Sequence, residues 1–223
     1  MDPDALGVTD LPGRLESLVR STPWLLEALR AARDVDPPDW LVGGGVLRDL
    51  VWDRLHGRSR PTPPRDLDLA FFDPTRLDPA RDVEIEQALV ARLPGVPWDA
   101  KNQAAVHTWY GRVFGVGPVA ALRSAADGVA TWPETATAVA VRLLDDDRLL
   151  VVAPCGLEDL FGLVCRRNPR RVTVDHYRRR IHDKRIADRW PRVGSSEGES
   201  SPPPGWVRLV VHSLWRSAAR MRG

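Results

Sequence analysis

In the segment Arg65–Phe72, RDLDLAFF, Asp66 and Asp68 alternate with Leu67 and Leu69. At the two-residue period of a strand, the carboxylates share one face and the leucines the other. Adjacent carboxylates repel one another unless a cation joins them. Their hard oxygens suit Mg²⁺ (or Mn²⁺) bound together with substrate phosphates. A D-x-D alone also occurs on edge strands facing solvent, but here the strand runs on through Leu69-Ala70-Phe71-Phe72, apolar enough for a sheet interior. Upstream, Trp40-Leu41-Val42 reads as a short strand, Gly43-Gly44-Gly45 as a turn and the residues from about Val46 as a helix. Such glycines let a ligand approach the backbone, and a helix N-terminus favours an anion. Gly44 and Gly45 are therefore candidates to hold phosphate through their N–H groups; the alternative is a tight turn needing positive φ and no ligand. A phosphate cradle beside a pair of metal-binding carboxylates is what nucleotidyl transfer requires.

Two-metal transfer calls for a third carboxylate near the first two. Asp99, in PWDAK, is the candidate, with a surface turn as its alternative; Glu134 after Pro133 is the reserve. Arg48, one turn into the helix, is in reach of a phosphate, or else pairs with Asp49 or another nearby acid. Arg65, just before Asp66, offers a phosphate or acceptor contact against the alternative of a solvated loop charge. Lys101 follows Asp99 among Asn102, Gln103 and His107, and its compact ammonium suits a phosphate.

Gly44-Gly45-x-x-Arg48-Asp49 followed by Asp66-x-Asp68 resembles the head domain of the DNA polymerase β-like nucleotidyltransferase superfamily, nearest the poly(A) polymerase and CCA-adding branch. PWDAKNQAAVH, WPETATAV and APCGLEDLF are similar to the bacterial nucleotidyltransferase family proteins. The resemblance covers roughly Trp40 to Pro191. It implies a small mixed β-sheet flanked by helices, an NTP substrate, Mg²⁺ (or Mn²⁺) on Asp66, Asp68 and Asp99, and transfer of a nucleoside monophosphate to a hydroxyl. The acceptor is open: a small molecule, a protein or an RNA. No base-selection motif and no long helical neck and body are evident, which argues against a tRNA 3′-end polymerase. The competing readings are a non-catalytic nucleotide-binding or interaction module of the same fold, and an RNA-binding accessory protein.

The last reading rests on charge. Ten basic residues lie between Arg166 and Arg189 against Asp175, Asp183 and Asp188, although the net charge of the chain is only +2. A basic helix near an acidic site can steer an anionic acceptor, or it can be a solvated face. Lys101 and Lys184 are the only lysines, so arginine abundance alone argues for nothing. Cys155 and Cys165 have no metal or disulfide spacing and read as small buried hydrophobes. There is no long apolar run and no leader-like N-terminus, so the chain is expected to have no membrane span and to be cytoplasmic.

The periodicity predicts helices over Leu11–Arg20, Pro23–Arg33 (capped by Thr22), Val83–Leu93, Ser124–Ala130, Gly156–Val164 and Val174–Trp190. It predicts a strand over Val96–Ala100 and a hairpin of Thr135–Leu144 with Leu149–Ala153, leaving 102–109 open. The fold class is α/β (α+β). Residues 1–193 are expected to form one nucleotidyltransferase-like domain with its core at about 40–165. Residues 194–205, GSSEGESSPPPG, read as a flexible linker, and 206–223 as a basic amphipathic C-terminal helix.

Overall fold

The computed structural model describes residues 10–198 and the strand Arg208–Val210. The first elements among the described residues are two helices, α1 (Leu11–Arg20) and α2 (Pro23–Val35), which bury Leu15, Val19, Leu25, Leu29 and Ala32 at helical spacing. Asp10 caps α1 by accepting from the Gly13 N–H at 2.9 Å. Thr22 stands at the N-cap of α2 without capping it; its hydroxyl donates back to the Leu18 carbonyl at 2.8 Å.

The chain then builds a mixed sheet from β1 (Leu41–Gly43), β2 (Leu67–Phe71), β3 (Trp98–Asn102), β4 (Ala140–Leu143), β5 (Leu149–Val152) and an edge strand at Arg208–Val210. The order is β3-β2-β1-β4-β5 and then that edge strand. Among these six strands only β2 and β3 run parallel, joined by the crossover helix α4 (Ala80–Arg92). Leu67, Leu69 and Phe71 point into the main core with Trp40, Trp52 and Leu89, while Asp68 and Ala70 face the other way. The strand period in the sequence thus decides which face is chemical and which is packed. Helix α3 (Gly45–Leu55) follows β1; a short 3₁₀ turn, then α5 (Val106–Phe114) and α6 (Ala125–Val129), occupies the stretch after β3.

Several elements are shorter than the periodicity suggests. Gly156 at φ 77° and Leu163 at φ 57° confine the expected Gly156–Val164 helix to α7 (Glu158–Phe161). The chain passes straight into β6 (Val164–Arg166). The expected Val174–Trp190 helix is two, α8 (Val174–Lys184) and α9 (Ile186–Arg189), separated by Arg185 at φ 52°. That break turns Trp190 into the core, edge-on to Trp52 at 5.3 Å, with its indole N–H on Asp53 at 2.8 Å. Gly194–Ser196, the start of the expected linker, forms β7 beside β6. In the expected C-terminal helix, Arg208–Val210 is instead the edge strand, β8, on β5; the β-branched VRLVV run suits a strand as well as a helix face. The remainder of 199–223 lies outside the described residues. Among the described residues no helix is long and apolar enough to cross a membrane.

Candidate active site

Register brings Asp68 and Asp99 together. Gly43 is paired with Asp68 across β1 and β2, and Asp68 with Asp99 across β2 and β3, so the three form one row. A side chain at Gly43 would meet the Val139 carbonyl at 2.3 Å, so the row has no bulk beside Asp68. Gly44 follows at φ 73°, and a Cβ there would stand 2.8 Å from an Asp68 carboxylate oxygen. The glycine turn is thus laid against the acid.

Asp68 and Asp99 open into a cavity of about 270 Å³ whose floor includes Gly44, Gly45 and Lys101. Burial pushes Asp68 up to about 6, and the charges of Asp66 and Asp99 push the same way against Arg180 and Lys184. Asp66 is exposed just before β2 and does not line the cavity, but it lies close enough to be felt. Lys101, on the same face of β3, donates to Asp99 at 2.5 Å.

Other expected residues are placed differently. The Gly44 N–H donates to the Val139 carbonyl at 2.9 Å, so any phosphate contact from this turn falls to Gly45 and the following first-turn amides of α3, which has no side-chain cap. Arg48 is buried and turned to Asp49, bonded at 2.9 and 2.6 Å, with its guanidinium over Trp52 and Trp190. It holds α3 to Trp190, the residue after Arg189, instead of lining the cavity. Arg65 is exposed and also off the cavity wall. The reserve acid Glu134 is buried and committed, receiving Arg180 at 2.5 Å and the Thr137 hydroxyl at 2.8 Å.

The opposite wall escaped sequence reasoning. Trp109, Tyr110 and Phe114 of α5, with Trp132, face the acids, and His176 and Arg180 of α8 close the side. A signal existed: His176, Arg180 and Lys184 are four apart and so share a face of α8. Tyr177 is buried in the core with Trp190, the residue that follows the basic run. Cys165 is buried and Cys155 half-buried, both free thiols.

Among the described residues, no three His, Cys, Asp or Glu side chains converge as a ready metal cluster. The donor set nevertheless suits a hard cation. Mg²⁺ is commonly held by one or two carboxylates plus substrate phosphates, and burial, with the charges of Asp66 and Asp99, disfavours the ionised form of Asp68.

A family model described as nucleotidyltransferase matches residues 30–194, most of the chain and all of this site. The chain belongs to the nucleotidyltransferase family. No curated protein matches it. Among solved structures, this nucleotidyltransferase is similar to an NMR structure described as revealing a CCA-adding enzyme head domain. Identity there is 26%, the match covers 85% of this chain and 97% of that one, and the TM-score is 0.70. It is also similar, at 18% identity and a TM-score of 0.49, to a CCA-adding enzyme in complex with CTP, over 82% of this chain and 43% of that one. The mixed sheet with its flanking helices is thus that of a polymerase β-like nucleotidyltransferase head.

Proposed function

We propose that this nucleotidyltransferase moves a nucleoside monophosphate from an NTP to a hydroxyl acceptor, with Mg²⁺ (or Mn²⁺) held by Asp68 and Asp99. The observation that carries the reading is the in-register placement of these two acids on adjacent strands, facing a cavity floored by Gly44 and Gly45. Asp66 adds a third negative charge at the entrance to β2 and is the remaining candidate metal ligand.

An ion held by Asp68 and Asp99 would supply charge neutralisation at the phosphates and the leaving pyrophosphate, and would ease loss of the acceptor's proton. The rest belongs to the chain. The first-turn amides of α3 face the triphosphate. Lys101 orients Asp99 and offers an ammonium to a phosphate oxygen. Trp109, Tyr110 and Trp132 keep water from the reacting groups and give a flat base a surface.

The test is incubation with Mg²⁺ and each α-labelled NTP in cell extract, followed by identification of the labelled molecule. Label is expected with wild type and lost with Asp68→Asn and with Asp99→Asn. Label undiminished in Asp68→Asn overturns the assignment.

A further inference from the structure

The basic run of Arg166–Arg189 divides once its partners are known. Arg166 pairs with Asp159, Arg178 with Glu197, Arg180 with Glu134, Arg185 with Asp188 and Arg189 with Asp49. Arg167 and Arg171 donate to backbone carbonyls. Arg179 and Lys184 are different: among the described residues neither forms an ion pair or a side-chain hydrogen bond, and both line one groove of about 380 Å³. The single acid there, Asp183, has His182 beside it at 3.3 Å.

This groove adjoins the catalytic cavity, sharing Phe114, His176 and Arg180 with it. Lys184 stands near enough for its charge to favour ionised Asp68. The far wall is α5, where Val113 and Phe114 are exposed and Phe114 stacks on His176 at 5.2 Å. Two uncommitted cations match the charge of a phosphate monoester, and an exposed aromatic beside them suits a planar ring. The triphosphate has its own place at the turn before α3, on the other side of Arg180, whose charge is already met by Glu134.

We infer that the groove is the acceptor subsite and that the acceptor is a nucleotide-sized phosphate ester. Its phosphate sits between Arg179 and Lys184, its ring lies against Phe114, and its hydroxyl reaches past Arg180 to Asp68 and Asp99. The inference rests on the transfer reading above. In the step, the acceptor oxygen bonds the α-phosphorus and the bond from that phosphorus to the bridging oxygen breaks. Pyrophosphate leaves with the electron pair, and the hydroxyl proton passes to solvent.

The test reads binding without turnover. Protein saturated with Mg²⁺ and a non-hydrolysable NTP analogue is titrated calorimetrically with AMP and UMP, with adenosine and uridine, and with a single-stranded RNA tetramer. The phosphorylated nucleosides are expected to bind about 10- to 100-fold tighter than their parents, the worth of a charge-assisted contact. Arg179→Ala/Lys184→Ala, at positions outside the core, is expected to erase that preference. A tetramer that binds more tightly than AMP or UMP identifies the acceptor as a strand end; one that does not identifies a free phosphate ester. Equal affinity for AMP and adenosine, or a preference that survives in the double variant, overturns the inference. Failure of the transfer reading shows separately, as an analogue that does not bind, and the same titrations without analogue still decide the groove.

Discussion

Asp68 and Asp99 occupy the same register position on neighbouring parallel strands, and both line the one cavity. Two carboxylates held this way suit the cation proposed above more than they suit stability. Removing either charge by substitution to Asn is expected to cut transfer by at least about 100-fold, the scale seen when a group facing transition-state charge is lost. Thermal stability should not fall, because the substitution relieves repulsion. The paired measurement is turnover with α-labelled NTP beside a melting curve; a large drop in melting temperature for Asp68→Asn would mean the acid is structural.

The same acids predict a ligand-linked stability. Mg²⁺ with NTP at a hundred times its dissociation constant stabilises the native state by about 2.7 kcal/mol. For a chain of this size that raises the melting temperature by about 5–10 °C. The gain should require metal and nucleotide together and vanish on chelation. A gain from nucleotide alone that survives in Asp68→Asn/Asp99→Asn would place the nucleotide elsewhere.

Local pattern carried much of this into the sequence. Leu67 and Leu69 turn Asp68 to the opposite face of β2, with Asp66 left just before the strand, and the apolar spacing of Leu15, Val19, Leu25 and Leu29 marks α1 and α2. What stayed hidden is pairing across long sequence distance. Nothing near Arg180 announces Glu134, 46 residues away, and nothing in the glycine turn shows that Val139 takes the Gly44 N–H. The break at Arg185 was equally hidden, because no glycine or proline punctuates it; burial of Ile186 and Trp190 decides it. The strand at Gly194–Ser196 arises because β6 offers it a partner, although its composition reads as linker.

Gly44 is expected to tolerate no side chain. At φ 73° an Ala is strained by about 1–3 kcal/mol, and its Cβ would press on the Asp68 carboxylate at 2.8 Å. Gly44→Ala should therefore lose activity out of proportion to its stability, with helical circular dichroism unchanged. Wild-type turnover in Gly44→Ala would show that this turn does not set the position of Asp68.

Arg180 combines a structural and an electrostatic role, and two variants separate them. Arg180→Ala leaves Glu134 buried without its cation, a loss of about 3–5 kcal/mol. Adding Glu134→Gln removes the stranded charge and should restore most of the stability. Activity should stay low in the double variant, since Arg180 also faces Asp68 across the cavity. Recovery of both together would reduce Arg180 to a strut.

Arg48 tests the opposite assignment, a residue whose sequence position suggests phosphate and whose partners suggest architecture. Its bonds to Asp49 and its place over Trp52 and Trp190 tie α3 to the segment after α9, and Arg189 joins the same carboxylate at 2.7 Å. Lysine cannot reproduce the planar, two-point contact. Arg48→Lys is expected to cost about 2–3 kcal/mol of stability through the weakened ion pair and lost stacking, with KM for NTP unchanged below the melting transition. A variant that melts like wild type but binds NTP tenfold more weakly would return Arg48 to the phosphate site, and would require its side chain to leave Asp49 when nucleotide arrives.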